Sequence, residues 1–337
     1  MKPIKAICLG LALAGLLPLG AAQAQAIKER SIKFAFQNQK EHPQGQGAQR
    51  FADLVAQKSG NKISIKLFPG GTLGGDLQTV SALQGGTVEM TVLNAGLLSG
   101  LVKEFAALDL PFLFNNAQEA DAIIDGPFGK KLFDKLPEKS LIGLNYWDLG
   151  FRSVTNSKRA ITKVEDLDGI KLRVLQSPVY IDMFNALGAN AVPMPFPEVY
   201  TALEQHAVDG QENPATTILS SKFYEVQKYF SVTRHIYNPQ ALIVSKKLWD
   251  QLSPEERKII QDAATEATAY QRKLSRDSDQ AAIDALRKNG MQINEVSAAE
   301  MARFRDKVKP VVAKAAQTIG EATVNELNTE ITKARHK

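Results

Sequence analysis

Apolar and polar positions alternate along this chain with two different periods. Short β-like runs occur at Ile32 to Phe36, Lys62 to Phe68, Val88 to Leu93 and Leu141 to Trp147, and helically spaced stretches separate them, the first across Gly45 to Lys58. A second series opens at Ser153 to Thr155, continues at Ile170 to Leu175 and Ala241 to Ser245, and has helices around Pro178 to Leu187 and Pro197 to His206. Strands alternating with helices predict an α/β fold, and two such series predict two lobes in one chain. Ser253-Pro254-Glu255-Glu256 is a helix start, with Ser253 as N-cap, Pro254 at the first position and acids in the first turn. The helical pattern runs on to about Lys288 before Asn289-Gly290 stops it. At 1.5 Å per residue that is roughly 50 Å. One lobe would not cover so long a helix, so it is expected to pack across both. A last helical stretch, Ala298 to Ala334, contains Pro310, which is expected to break or kink it.

Met1 to Ala26 falls outside this pattern. Lys2 and Lys5 precede an apolar run from Ala6 to Leu19, and small residues follow, which together describe a cleavable secretory signal peptide. The run is shorter than the roughly 20 residues that span a bilayer. Ala22-Gln23-Ala24 and Ala24-Gln25-Ala26 both offer cleavage sites, and the second starts the mature protein at Ile27. Removing Lys2 and Lys5 takes the formal charge from +5 to +3. The only cysteine, Cys8, lies at the front of the apolar run, where lipid modification would not occur. The exported protein would then carry no disulfide and no thiolate, which suits a bacterial periplasm. No later segment has 18 uninterrupted apolar residues.

A length of 337 residues allows two domains or one large one, and 44% hydrophobic residues is ordinary for a folded protein. The modest charge shows no basic stripe with interleaved aromatics, so no nucleic-acid partner is expected. His42, His206, His235 and His336 lack metal-ligand spacing, and neither GxSxG nor a P-loop is present, so no cofactor and no metal are expected. Two features stand out at strand ends, where open α/β sheets bind ligands. The first is Pro69-Gly-Gly-Thr-Leu-Gly-Gly-Asp76, readable either as backbone approaching a ligand or as a tight turn with Asp76 as N-cap. The second is a pair of arginines at β-like runs, Arg152 and Arg173. A charge on the alternating strand around Arg173 either faces water or awaits an anion.

These blocks, with Ala186-Leu-Gly-Ala-Asn190, Pro193-Met-Pro-Phe-Pro-Glu198 and Val208-Asp-Gly-Gln-Glu-Asn213-Pro, occur in one order along the sequence. In that order they resemble a solute-binding protein of a TRAP transporter, the DctP type. The resemblance implies a periplasmic-binding-protein-like fold whose two lobes close on an organic acid, with the long helix as a strut. It implies lobe 1 over 27–150 plus about 239–278 and lobe 2 over 151–238 plus about 279–337. It further implies delivery of the ligand to small and large membrane subunits by a monomeric, non-enzymatic protein. Carried over by motif, Arg173 resembles the arginine that grips the substrate carboxylate, Arg152 a supporting cation and Asn213 an orienting amide. Asp76, Asn94, Gln176 and Phe196 fall where the family lines its cleft, and Asn38, Lys40 and His42 where it often contributes again. So many amides, with a carboxylate, would pair with hydroxyls and favour a sugar acid such as a uronate or aldonate. A C4-dicarboxylate or a keto or aromatic acid, with Trp147 as a stacking surface, is the alternative, and a periplasmic hydrolase a remote one.

Overall fold

The computed structural model describes residues 27–336, so the signal peptide and Cys8 lie outside the described residues. The strands are β1 (Arg30–Phe36), β2 (Ile63–Phe68), β3 (Met90–Asn94), β4 (Leu141–Asn156), β5 (Lys171–Val174), β6 (Asn190–Pro193), β7 (Gly210–Asn213), β8 (Tyr229–Ser245) and β9 (Gln292–Glu295). The helices are α1 (Pro43–Lys58), α2 (Asp76–Gly85), α3 (Ala117–Ile124), α4 (Pro127–Phe133), α5 (Pro178–Ala186), α6 (Val199–Glu204), α7 (Ala215–Ser220), α8 (Lys246–Trp249), α9 (Pro254–Lys288), α10 (Ala298–Ile319) and α11 (Glu321–Arg335).

The strands form one sheet in the order β2-β1-β3-β8-β4-β7-β5-β6, with β9 also paired to β8. Its centre is the antiparallel pair of β4 and β8, which runs through both halves of the molecule. Leu141 to Asp148 pair with Ser245 to Pro239, and Phe151 to Asn156 pair with Tyr237 to Tyr229. The register shifts between Asp148 and Phe151, where Gly150 adopts φ 104°, and again between Arg152 and Val154. The sequence pattern divides β4 at Gly150 and starts β8 only at Ala241. The left-handed glycine and the polar residues His235, Asn238 and Gln240 interrupt the apolar signal without ending the strand. On one side of this pair lie β3, β1 and β2, and on the other β7, β5 and β6, with parallel neighbours joined through helices.

One apolar cluster runs through both halves, joining Leu83 and Leu93 to Leu172 and Phe184 by way of Ile236 and Tyr237, and each half has a further core of its own. Alternate residues of β1, Ile32, Phe34 and Phe36, pack with Phe51 of α1, Trp147 of β4 and Ile259, Ile260, Ala263 and Ala267 of α9. Further along α9, Ala282, Ile283 and Leu286 join Val199, Leu203 and Phe230 in the core of the other half. The long helix therefore spans both lobes. Gly47 permits its close approach to α1, since a Cβ there would lie 2.6 Å from Cγ of Gln271. Ser253 caps α9 through a capping box with Glu256. Pro310 does not break α10; it sits on an exposed face, where the carbonyl of Asp306 that it leaves unbonded can face water. The break comes at Gly320, φ 108°, between α10 and α11.

Candidate functional site: a polar cleft between the two halves of the sheet

A narrow cleft opens between the halves, with about 370 Å³ of empty space that includes its mouth to solvent. Its walls are the C-terminal ends of parallel strands and the residues just beyond them: Gln37 and Asn38 after β1, Asn94 ending β3, Leu175 after β5 and Asn213 ending β7. Asp76 reaches it from the start of α2, and Leu149, Arg152, Asn238 and Gln240 form the back from β4 and β8. Phe196 and Thr217 complete the far wall.

Arg173 is 3% exposed. Its Nε and Nη2 donate to the carbonyl oxygen of Met194 at 3.0 and 2.7 Å, and its guanidinium carbon lies 5.9 Å from the Phe196 ring centroid. Among the described residues it forms no ion pair. Burial brings its pKa down to about 10, against the opposing pull of Glu212, so it stays cationic at neutral pH. Its Nη1 protons and one Nη2 proton remain for something else.

Arg152 is different. Its Nε and Nη2 donate to the two carboxylate oxygens of Glu212 at 2.5 and 2.9 Å, Nη2 also to the Glu212 carbonyl at 2.6 Å, and Nη1 to Asn238 Oδ1 at 3.1 Å. Both side chains are buried. Burial alone would raise the Glu212 pKa, but Arg152 and His235, whose Nε2 lies 3.1 Å from Oε2, hold it below its ordinary value. Arg152 is thus neutralised and keeps a single N–H for the cleft.

Asp76 is the first residue of α2, and Gly75 is the N-cap, so Asp76 is not the cap the sequence suggested. Burial raises its pKa to about 7, with the positive charges of Arg173 and Arg152 and the neighbouring Gln37 side chain pulling the other way. The glycine loop before it serves lobe contact: Gly71, at φ 66°, would place a Cβ 2.5 Å from Pro197 of the opposite wall, a position only glycine can hold. Five buried polar atoms of the cleft lack partners among the described residues: Gln37 Oε1, Asn38 Oδ1, Asp76 Oδ1, Asn94 Nδ2 and Asn238 Nδ2. Such groups are costly unless satisfied.

The structure brings together Arg173, Arg152, Asn213, Asp76, Asn94, Phe196 and Asn38. Four other candidates lie elsewhere. Lys40 is exposed on the turn before α1. Trp147 is core, its Nε1 donating to Thr268 Oγ1 at 3.0 Å. Gln176 points into a neighbouring apolar groove with Leu77, Leu97 and Ile319. His42 is the buried N-cap of α1 behind the cleft wall. Its Nδ1 accepts from the backbone N–H of Gln44 at 2.9 Å, so Nε2 carries the proton and donates to Thr217 Oγ1 at 3.2 Å. Burial lowers its pKa to about 3. A neutral imidazole that already donates cannot take a proton from the threonine. Sequence reading missed Asn238, Gln240, Thr217 and Glu212; the signal available for the first two was a pair of amides inside an apolar strand.

The family model for bacterial extracellular solute-binding protein, family 7 (DctP), matches residues 34–318. The protein belongs to this family, the solute-binding proteins of TRAP transporters. This family 7 protein is 36% identical to the 2,3-diketo-L-gulonate-binding periplasmic protein of Escherichia coli, over 86% of its own length and 88% of the relative's. Among solved structures it is similar to the sugar acid binding protein of Advenella mimigardefordensis in complex with galactonate, with 45% identity and a TM-score of 0.90 over 91% of its own length and 99% of the other's. A TRAP periplasmic solute-binding protein from Ochrobactrum anthropi is 56% identical, with a TM-score of 0.81 over 92% and 97% of the two lengths, and has a C-terminus bound in its ligand-binding pocket. The two-lobed architecture read from the sequence is therefore the family's architecture. Galactonate and a polypeptide's C-terminus share one group, a carboxylate.

Proposed function

We propose that this family 7 protein captures a sugar acid, an aldonate or uronate, in the periplasm and delivers it unaltered to the small and large membrane subunits of a TRAP transporter. The observation that carries this is Arg173: a buried, charged guanidinium with free N–H groups facing a cleft and no ion pair among the described residues. A planar fork matches a ligand carboxylate bidentately and remains charged at any physiological pH. The rest of the cleft supplies amides and one carboxylate, which suit hydroxyls better than an aromatic ring. The galactonate-bound relative supports this class. With boundaries near residues 150 and 239, the two halves of the sheet are lobes that a ligand touching both would hold closed. Binding without consumption is the expected behaviour, since the hydroxyl–imidazole pair at the wall, Thr217 and His42, has its proton on the wrong side for nucleophile activation.

A thermal-shift screen of aldonates, uronates, succinate and aromatic acids, followed by calorimetry and turnover assays on the hits, tests the reading. Galactonate or a uronate should raise the melting temperature and be recovered intact. A response confined to succinate or to aromatic acids, or consumption of the hit, would sink it.

A further inference from the structure

The cleft's amides are not free to turn either face to a ligand, because a residue behind the wall has chosen for them. Gln44, in the first turn of α1, is fully buried and does not line the cleft. Its Oε1 accepts from the backbone N–H of Asn38 at 3.1 Å. A backbone N–H can only donate, so the oxygen end of Gln44 is fixed there. Its Nε2 therefore turns the other way, toward the carbonyl oxygen of Val92 at 3.5 Å, which can only accept. Two main-chain groups thus set the side-chain amide without reference to any other side chain.

The consequences reach the cleft. Asn38 must donate Nδ2 to Gln44 Oε1, at 2.9 Å, which leaves Asn38 Oδ1 as the atom offered to a ligand. Gln240 must accept from Gln44 Nε2 through its Oε1, at 3.0 Å, which leaves its Nε2. The neighbouring wall obeys the same logic. Gln37 donates Nε2 to the Gly74 carbonyl at 3.1 Å and keeps Oε1 unpartnered. The N–H of Gly96 bonds Asn94 Oδ1 at 2.8 Å, leaving Nδ2. So Gln37, Asn38 and Asp76 form a group of acceptors, whereas Asn94, Asn238 and Gln240 join Arg173 as donors.

We infer that Gln44 is a positioning residue that fixes the hydrogen-bonding polarity of the cleft, so that the end of the ligand facing Asn38 must carry hydroxyl donors and not a second carboxylate. The inference rests on the sugar-acid reading and deepens it. Above pH 7, where Asp76 is ionised, a dicarboxylate would place its second anion against oxygens with no donor among them, whereas a monocarboxylic polyhydroxy acid satisfies both groups.

The test uses the full-length protein at pH 8, where Asp76 is ionised, with galactonate and galactarate, the dicarboxylate formed by oxidising galactonate's terminal carbon. Wild type should prefer galactonate by at least about tenfold, the size of one charged hydrogen bond or more. Gln44→Met fills the same space but holds neither amide, so Asn38 is free to offer Nδ2 and the preference should fall at least about threefold. Gln240→Met, which removes cleft donors but leaves Asn38 held, should weaken both acids by a common factor and keep the preference. A purely structural Gln44 would weaken both acids together as well. That outcome overturns the inference while leaving the sugar-acid reading intact, whereas wild type preferring galactarate or succinate, or binding none of these acids, overturns both. Should Gln44→Met fail to fold, side-chain amide resonances of wild type decide: galactonate should shift the Gln240 amide protons and leave those of Asn38, which point at Gln44, in place. The reverse pattern overturns the assignment.

Discussion

Glu212 neutralises Arg152 through both carboxylate oxygens, while Arg173, equally buried on the adjacent side of the cleft, has only a carbonyl. Two arginines a strand apart therefore make opposite contributions. One is a completed internal ion pair that shapes the wall; the other is a cation with no ion-pair partner among the described residues.

Substitution of Arg173 follows from this asymmetry. Removing one partner of a desolvated charge pair costs about 3 to 5 kcal/mol, or roughly two to three and a half decades of affinity. Arg173→Met should abolish binding of galactonate at micromolar concentrations, and Arg173→Lys should restore little, since a point charge lacks the fork. The ligand-free Arg173→Met protein should melt no lower than wild type, because an unpaired buried cation has been replaced by an apolar side chain. Loss of binding accompanied by a lower melting temperature would mark Arg173 as core and not as a ligand.

Glu212→Gln should behave in the contrary way. It strands the Arg152 guanidinium in a site from which water is excluded, so the folded protein should lose about 3 to 5 kcal/mol. Urea denaturation without ligand reads this directly. An unchanged midpoint would mean that Arg152 has other means of compensation and that the pair is not what holds this part of the wall.

Much of this was legible in the sequence. The alternation of Ile32, Phe34 and Phe36, the capping box at Ser253 and the Asn289-Gly290 stop locate β1 and α9 because each is a local pattern. β4 and β8 read as shorter than they are because a strand passing between two lobes changes its pairing and its neighbours midway, and Gly150 and Asn238 record that change as an interruption. Arg173 stood out as a charge on an otherwise apolar strand. Glu212 did not, since its partner is 60 positions away in sequence and spacing carries no trace of it. Gln44 was hidden for the same reason: a glutamine in the first turn of a helix looks like surface, and only the fold shows Asn38, Val92 and Gln240 around it.

The pH dependence of stability separates groups by sign. Burial lifts Asp109 to about 7, despite a 3.0 Å hydrogen bond from Ser177. An unfolded aspartate titrates near 3.9. Between those values the folded state holds a proton that the unfolded state has released, so this carboxyl's contribution is greatest below about pH 4 and is lost as pH rises to 7. His42 and His235, kept neutral by burial, act in the opposite direction over an overlapping range, so the wild-type curve alone is uninformative. The difference between Asp109→Asn and wild type isolates the carboxyl. The variant should gain on wild type steadily from pH 4 to 7 and then run parallel to it. Difference curves flat across that window would show that Asp109 ionises normally.

Asp76 offers the sharpest separation of ligand classes. It begins α2 but does not cap it, and its buried Oδ1 lacks a partner among the described residues. Hydroxyl donors of a sugar acid need acceptors once water has left, and a carboxylate acceptor contributes about 1.5 to 3 kcal/mol. Asp76→Asn should therefore weaken galactonate or a uronate by roughly one to two decades. Succinate, whose second carboxylate would be repelled by Asp76, should bind the variant as well as or better than wild type. Helix capping cannot account for either change, because Gly75 keeps that position in both proteins. Titrating wild type and Asp76→Asn with the two acids at pH 8, above the pKa of about 7, ensures that the residue is ionised in the comparison. Equal affinities for galactonate in the two proteins would return Asp76 to the wall and remove the carboxylate from the recognition of hydroxyls.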